Sequence, residues 1–163
     1  MNNDENNQNL FLVFHLNNEI YGTNLMQVRE VIERQTPKPV PNTIQSYIGV
    51  INVRGEIVGA IDLRLRFGYP SLDSPEKNSA MIILNLPSGT LAVITDQLEG
   101  VFRLNFLEHG QKPKIESTIP NDYILGMCEF KNKIITIIDL HSILNAQEIT
   151  NLKQVNNESR ETK

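Results

Sequence analysis

The sequence predicts a mainly β fold in which two β-barrel lobes pack together along an apolar seam. Short runs rich in isoleucine and valine alternate with turn residues, at roughly the 8- to 12-residue spacing of small barrels and sandwiches. Residues 49–63 resemble residues 126–140, which indicates an internal duplication. Helical periodicity is weak until the C-terminus. These observations favour strands over helices along most of the chain.

Eight strands can be placed in order along the chain, each bounded by turn residues. The predicted strands are 10–16, a strand beginning at 20, 49–53, 56–61, 80–86, 90–95, 126–130 and 134–138. The expected turns are 17–19, 54–55, 87–89 and 131–133. The polar stretch 68–79 contains two prolines and no apolar period, so we expect a linker or a long loop there.

The ends of the chain differ from this β pattern. Residues 1–9 and 156–163 are polar, and we expect both to be disordered tails. The predicted domain spans 10–155, with lobes at about 10–69 and 79–146 between which strands may cross. A C-terminal helix is expected because one helical face would carry Ile143, Leu144, Ile149, Leu152 and Val155.

The internal repeat has two constant offsets. Residues 49–63 match residues 126–140 at a shift of 77, which brings Ile61-Asp62-Leu63 onto the same tripeptide at 138–140. Residues 12–16 match 82–86 at a shift of 70. The difference of 7 residues predicts an insertion in the second half, around residues 107–117. One small repeat would bury only a modest core, whereas two packed together would bury more.

The composition excludes several classes of protein. A net charge of −4 argues against general nucleic-acid binding, which requires a basic face. Cys128 is the single cysteine, so neither a disulfide framework nor a thiolate metal cage is expected. The N-terminus does not resemble a signal peptide, and no apolar run is long enough to span a membrane. We therefore expect a soluble intracellular protein.

No catalytic, cofactor-binding or metal-binding site is predicted. His15, His109 and His141 are isolated, and Cys128 lies in an apolar strand, so ordinary structural roles are expected for all four. The sequence contains no nucleophile elbow, no P-loop and no dinucleotide fingerprint. No motif in the sequence therefore indicates an enzyme.

Three polar residues at strand ends need an explanation. Asp62 and Asp139 each follow a strand and precede a short segment with helical potential, so we interpret both as N-caps. Arg54 precedes Gly55 at a predicted hairpin tip, where a solvated turn residue is the ordinary interpretation. Spacing alone does not decide whether Arg54 binds a partner.

Several motifs together resemble the family of CheW-like coupling proteins. The similarity covers residues 10–146 and is most specific in GVINVRG followed by IDLR. The second half agrees in AVITD at 92–96 and in Gly126 followed by Ile138-Asp139-Leu140. In order, the first-half motifs that carry the resemblance are FLVF at 11–14, IYG at 20–22, VREV at 28–31, GVINVRG at 49–55 and IDLR at 61–64.

The resemblance implies a non-catalytic scaffold built from two SH3-like five-stranded barrels. Such a protein joins the cytoplasmic tips of methyl-accepting chemoreceptors to the regulatory domain of a CheA-type histidine kinase, in arrays at the membrane. It implies no cofactor, no nucleic acid and no membrane insertion. The positions that match partner-coupling positions of the family are Val28, Glu30, Gly49, Asn52 and Arg54.

From these positions we derive a hypothesis about the polar edge of a receptor-binding groove. Val28 would supply apolar contact, Gly49 would let another backbone approach, and Arg54 would bind a carboxylate through its planar fork. Glu30 is the candidate that orients Arg54. Two departures from the family pattern are the position of Tyr47, one place nearer to the glycine, and Gly59-Ala60 where a proline is common.

Two other functions share some of these features. The same fold could serve the chemosensory array that governs type IV pilus twitching, because that array uses the same coupling surfaces. A stand-alone SH3-like module that binds extended peptides would need an aromatic-lined groove. The sequence has no tryptophan and only 6% aromatic residues, which disfavours the peptide-binding module.

Overall fold

The computed structural model describes residues 8–41, 45–71, 79–107, 119 and 121–144. Strands dominate these ranges, as predicted. The strands are β1 (Leu10–Leu16), β2 (Glu19–Asn24), β3 (Val28–Glu33), β4 (Tyr47–Val53), β5 (Glu56–Asp62), β6 (Ala80–Leu86), β7 (Gly89–Thr95), β8 (Gln97–Arg103), β9 (Ile124–Phe130) and β10 (Lys133–Ile138). The helical elements are α1 (Leu63–Arg66) and the 3-10 helices Leu25–Gln27, Asn121–Tyr123 and Leu140–Ser142.

The strands form two five-stranded sheets, and each sheet takes strands from both halves of the chain. The first sheet has the order β8-β1-β2-β10-β9, and the second has the order β3-β6-β7-β5-β4. If β1 to β5 are exchanged for β6 to β10, one order becomes the other. The duplication is therefore visible in the topology, and the two halves of the chain exchange strands between the two sheets.

The strand registers reproduce both offsets of the sequence repeat. Phe11 lies opposite Asn24 in one sheet, and Met81 lies opposite Ile94 in the other, at a shift of 70 for both partners. Gly49 lies opposite Ala60, and Gly126 lies opposite Ile137, at a shift of 77. The parallel pairs β2·β10 and β5·β7 also correspond. The internal duplication is thus confirmed at the level of hydrogen-bonded pairing.

Each sheet closes on itself through one antiparallel bridge beyond its edge strands. Lys38, which follows β3, pairs with Val50 in β4 through N–H···O bonds of 2.8 and 2.9 Å. Phe106, which follows β8, pairs with Cys128 in β9. Closure protects the edges of both sheets, which would otherwise offer unpaired backbone groups to other chains. We call the sheet that contains β1 the first barrel and the sheet that contains β4 the second barrel.

Three apolar clusters form the core. One lies within the first barrel around Phe11, and one lies within the second barrel around Val58. The third and largest cluster combines residues of both barrels, among them Phe14 and Ile82, which are fully buried. β1 and β6 read as continuous apolar runs because alternate side chains enter a barrel and the cluster between the barrels. The predicted apolar seam is therefore a filled core.

Two strands, β3 and β8, were absent from the prediction. In β3, half-buried and exposed residues alternate, and charged residues occupy several of its positions. Its sequence VREVIE therefore lacks the continuous apolar character of the inner strands. β8 has a similar exposed pattern. Both are the strands that border the closing bridges, where one side of the strand faces solvent.

Both predicted N-caps are confirmed. The side chain of Asp62 accepts a hydrogen bond from Arg64 N at 2.9 Å, and that of Asp139 accepts one from His141 N at 3.1 Å. These bonds satisfy backbone donors at the starts of α1 and of the last 3-10 helix. Most of three predicted segments lies outside the described residues: positions 1–7 of the tail 1–9, positions 108–117 of the insertion around 107–117, and the C-terminal helix after residue 144. The predicted tail 156–163 lies outside them entirely.

Candidate functional site

The five candidate residues occupy two strands and one turn of the second barrel. Val28 and Glu30 lie in β3, Gly49 and Asn52 lie in β4, and Arg54 lies in the turn between β4 and β5. β3 and β4 are the terminal strands of their sheet, and the Lys38–Val50 bridge closes the barrel between them. The structure thus brings all five to one closing edge.

The hairpin tip at Arg54 is a tight two-residue turn. Arg54 and Gly55 have φ angles of 52° and 88°, the left-handed conformation of a type I′ turn. Asn52 Oδ1 accepts a hydrogen bond from Gly55 N at 2.8 Å, which holds the turn from its base. The side chain of Asn52 therefore has a structural contact within the hairpin.

Arg54 projects from this tip and pairs with Glu30. Arg54 Nη2 lies 3.0 Å from Glu30 Oε2, and the two side chains are 80% and 17% exposed. The pairing that the sequence suggested is present in the structure. The carboxylate is the shielded member of the pair, and most of the guanidinium faces solvent.

A second arginine, Arg29, links this pair to the opposite strand of the hairpin. Arg29 Nε lies 3.6 Å from Glu30 Oε1, and Arg29 Nη1 donates to Glu56 Oε2 at 3.0 Å. Thr90 Oγ1 donates to Glu56 Oε1 at 2.9 Å. We call Arg29, Glu30, Arg54 and Glu56 the charged hairpin surface. Its two positive and two negative charges alternate. Arg29 and Glu56 are not among the site residues predicted from the sequence.

The structure accounts for Gly49 through an intramolecular contact. Gly49 has a φ angle of 142° and is buried, and a Cβ at this position would lie 2.2 Å from the carbonyl oxygen of Lys38. The backbone that approaches Gly49 is therefore that of residue 38, in the bridge that closes the barrel. Val28 is half-buried and packs against the central cluster, so only part of its side chain is available to a partner.

The two departures from the family pattern turn out to be physically connected. A Cβ on Gly59 would lie 2.2 Å from the hydroxyl oxygen of Tyr47, so the tyrosine ring occupies the space above this glycine. Burial raises the pKa of Tyr47 to about 12. The shifted aromatic residue and the glycine at position 59 fit each other, because any side chain at 59 would displace the ring.

The corresponding hairpin of the first barrel has related but simpler chemistry. Lys131 occupies the tip with a φ angle of 48°, and its Nζ lies 4.0 Å from Glu99 Oε1. The ammonium group also lies over the rings of Phe102 and Phe130, at 5.6 and 5.1 Å from their centroids. The two hairpins therefore share a cation at the tip and an acidic partner, but differ in the surroundings of that cation.

A buried ion pair between α1 and the end of β7 was not predicted. Arg64 and Asp96 form this pair, and they are only 7% and 9% exposed. Arg64 also donates to the carbonyl oxygen of Pro70 at 2.7 Å and to Asn17 Oδ1 at 3.2 Å. Asn17 N donates to Asp96 Oδ2 at 2.8 Å. Both charged residues lie in the motifs IDLR and AVITD, but nothing in their spacing indicates that they meet.

Within the described ranges, no group of three or more His, Cys, Asp and Glu residues is arranged to hold a metal ion. Cys128 is fully buried, and burial raises the pKa of its thiol to about 11. His141 lies in the last 3-10 helix, and His15 lies 3.5 Å from Glu99. The positions of Cys128, His15 and His141 agree with structural roles, and His109 lies outside the described residues.

The fold and this surface define a class of protein. It consists of two β barrels that arose by duplication and exchange strands, and the second barrel carries the charged hairpin surface. The sequence matches the CheW-like domain family over residues 10–148, and the chain belongs to this family. The family is non-catalytic, so this protein is a chemotaxis scaffold and not an enzyme.

Named relatives agree with this assignment. The chain is 28% identical to the chemotaxis protein CheW of Klebsiella aerogenes over 139 residues, which cover 85% of this chain and 83% of the relative. It is 28% identical to the chemotaxis protein CheW of Treponema pallidum over 153 residues, covering 92% and 89%. The crystal structure of the scaffolding protein TtCheW from Thermoanaerobacter tengcongensis superposes with a TM-score of 0.74 at 29% identity, covering 86% and 90%.

Proposed function

We propose that this scaffold couples the cytoplasmic tips of methyl-accepting chemoreceptors to the regulatory domain of a CheA-type histidine kinase. Membership of the CheW-like family supports this role. So do the chemotaxis names of the relatives and the scaffolding title of the similar crystal structure. The protein itself would transform no molecule. Its contribution would be to hold receptor and kinase in a defined arrangement.

The observation that carries the proposal is the exposed pair of Arg54 and Glu30. Glu30 holds the guanidinium from one side, at 3.0 Å, and the side chain of Arg54 is still 80% exposed. A guanidinium has five donors in a planar fork, so a largely exposed one can bind a carboxylate of a partner. A solvent-facing arginine that can turn from its own acidic neighbour to a partner is suited to a protein–protein contact.

The filled core between the barrels limits where a receptor helix could dock. The central cluster includes fully buried residues such as Phe14 and Ile82. A helix would therefore lie against the rim of this cluster and could not enter it. Val28 packs at that rim and is half-buried, and Arg54 lies in the turn that follows β4 on the same barrel. An apolar contact flanked by an oriented charge is a standard way to seat a helix.

The place of action follows from the proposed partners. In the described part of the chain, no helix is long and apolar enough to cross a membrane. We infer that the protein works in the cytoplasm and reaches the membrane-associated array through its partners. Receptor tips and kinase would recruit it there without insertion of the scaffold into lipid.

The test is reconstitution of receptor-stimulated kinase activity with Arg54→Ala. An exposed ion pair contributes only about 0 to 1 kcal/mol to stability, so the free energy of unfolding should stay nearly unchanged. Stimulation of the kinase by a receptor fragment should be lost. Lys131→Ala is the matched control, because it removes the tip cation of the other hairpin.

Binding of the kinase regulatory domain and then of a receptor tip fragment should be measured in parallel. Formation of a ternary complex with the unmodified protein supports coupling. Full kinase stimulation by Arg54→Ala, with normal ternary assembly, would show that the proposed role of this arginine is wrong. Unfolding of Arg54→Ala would also contradict the argument, since it requires an exposed side chain.

A further inference from the structure

We propose that Arg29 is a positioning residue that keeps Glu30 neutralised when Arg54 moves to a carboxylate of the partner. This inference rests on the proposed function, because it concerns how the charged hairpin surface engages that partner. The partner chemistry is an acidic side chain at the docking surface. The proposal adds a role for Arg29 and Glu56.

The two arginines of the surface are held very differently. In the part of the chain that the structure describes, Arg54 pairs with Glu30 alone and its side chain is 80% exposed. The side chain of Arg29 is 30% exposed and contacts two carboxylates, Glu56 at 3.0 Å and Glu30 at 3.6 Å. Arg54 is therefore the cation that can leave, and Arg29 is the cation that stays.

Glu30 is the group that makes an exchange necessary. Its side chain is 17% exposed, and Arg54 contacts its Oε2 whereas Arg29 lies beside its Oε1. A shielded carboxylate that loses its ion-pair partner is poorly compensated by water. If Arg54 turned to an incoming carboxylate, Glu30 would lack a cation unless Arg29 remained beside it. Arg29 already lies beside Glu30 Oε1, so it can neutralise this carboxylate without rearrangement of the strand.

The backbone and the far carboxylate hold Arg29 in place. Arg29 occupies the bulge of β3, the extra residue between Val28 opposite Leu84 and Glu30 opposite Ile83. Glu56 anchors its guanidinium and is itself held by Thr90 at 2.9 Å. The bulge and this anchor place two successive side chains of one strand beside the hairpin.

Among the described residues of the first barrel, Glu99 has one lysine or arginine partner, Lys131, beside the imidazole of His15. Glu99 occupies the corresponding bulge of β8, between Leu98 and Gly100, and pairs with the tip cation Lys131 at 4.0 Å. Lys133 stands at the position that corresponds to Glu56, at a shift of 77. The first barrel therefore has no arginine at the position of Arg29 that could stay beside the acid when the tip cation moves. Lys133→Gln therefore provides a control with the same change in net charge as Arg29→Gln.

The experiment measures the dissociation constant of a receptor tip fragment for the full chain by calorimetry, at low and high salt. Because loss of one exposed ion pair corresponds to up to about fivefold in affinity, Arg29→Gln should weaken binding by about that factor. Arg29→Lys should restore most of the affinity, and Lys133→Gln should change nothing. A second change, Glu30→Gln in the Arg29→Gln background, should recover affinity, because the shielded carboxylate that would lose its cation is then absent.

The outcomes separate this inference from the proposed function. Normal binding by Arg29→Gln, together with weakened binding by Arg54→Ala, would overturn the role of Arg29 and leave the role of Arg54 intact. A further loss of affinity on adding Glu30→Gln would also overturn it, because that result indicates a merely structural network. Normal binding by Arg54→Ala would overturn both. A shift of the Arg54 Nε–Hε resonance on adding the fragment supports the exchange, and an unchanged resonance opposes it.

Discussion

Replacement of Arg64 by methionine should destabilise the protein strongly, whereas replacement of Arg54 by methionine should not. Both are arginines with a carboxylate partner, but the Arg64 residue is 7% exposed and the side chain of Arg54 is 80% exposed. The Arg64→Met change leaves Asp96, 9% exposed, without its cation. Breaking a buried ion pair by removal of one partner costs about 3 to 5 kcal/mol.

The structure also predicts how far a second substitution can compensate. Arg64→Met with Asp96→Leu removes both charges, and such apolar replacements of a whole pair are often neutral. Asp96 also accepts the backbone N–H of Asn17 at 2.8 Å, so this donor would lose its partner. An unsatisfied buried donor costs about 1 to 3 kcal/mol. The double variant should therefore be more stable than Arg64→Met and less stable than the original protein.

Urea denaturation followed by circular dichroism is the assay, because the chain contains no tryptophan. In a thermal melt of the same variants, a loss of 3 to 5 kcal/mol should lower the melting temperature by roughly 6 to 20 °C for a protein of this size. Arg54→Met, the control, should lie within about 1 kcal/mol of the original protein. Equal stabilities for Arg64→Met and Arg54→Met would refute the reasoning that burial decides the effect.

Four further predictions concern the backbone at Gly49, the pH dependence of stability at two aspartates, and the reactivity of the Cys128 thiol. Gly49→Ala should cost at least about 2 kcal/mol in urea denaturation because its Cβ would meet backbone at 2.2 Å, whereas Gly55→Ala, with nothing within 4 Å, should cost less. Burial opposes ionisation of Asp139, but hydrogen bonds from neighbouring groups lower its pKa below 3.8. Its contribution to the free energy of unfolding is therefore lost as pH falls through that lowered pKa. Asp139→Asn should make the free energy of unfolding depend less on pH in this acidic range. Burial raises the pKa of Asp62, so its contribution to the free energy of unfolding is present at low pH and lost as pH rises through the raised pKa. Asp62→Asn should remove this loss, so its effect on the pH dependence of stability should be opposite in sign to that of Asp139→Asn. Cys128 should react with a thiol reagent only after unfolding, since burial raises its pKa to about 11; rapid reaction in the native protein would contradict this.

Much of the fold could be predicted because apolar periodicity and the repeat are local properties of the sequence. Ile61-Asp62-Leu63 and its copy at 138–140 placed two strand ends and two caps correctly. β3 was missed because its side chains alternate between half-buried and exposed, so that few of its positions are strongly apolar. Apolar periodicity reveals buried positions, and strands at a closing edge have few buried positions.

The candidate site was predictable only in part, for a related reason. The pairing of Arg54 with Glu30 followed from recognising the family motif, and the structure contains the contact at 3.0 Å. Arg29 and Glu56 are 27 positions apart in the chain, and only folding shows that they meet. The distance from Gly49 to Lys38 likewise depends on how the barrel closes. Tertiary contacts of this kind leave no trace in local spacing.

The exchange of strands between the two halves has a consequence for how such a molecule can be divided. A lone repeat would supply two strands to one sheet and three to another, and would complete neither. Two lone repeats could complete both, in the manner of a swapped homodimer. The present chain is thus equivalent to such a dimer fused into one polypeptide. After a cut between α1 and β6, the two fragments should reassociate, and neither should fold by itself.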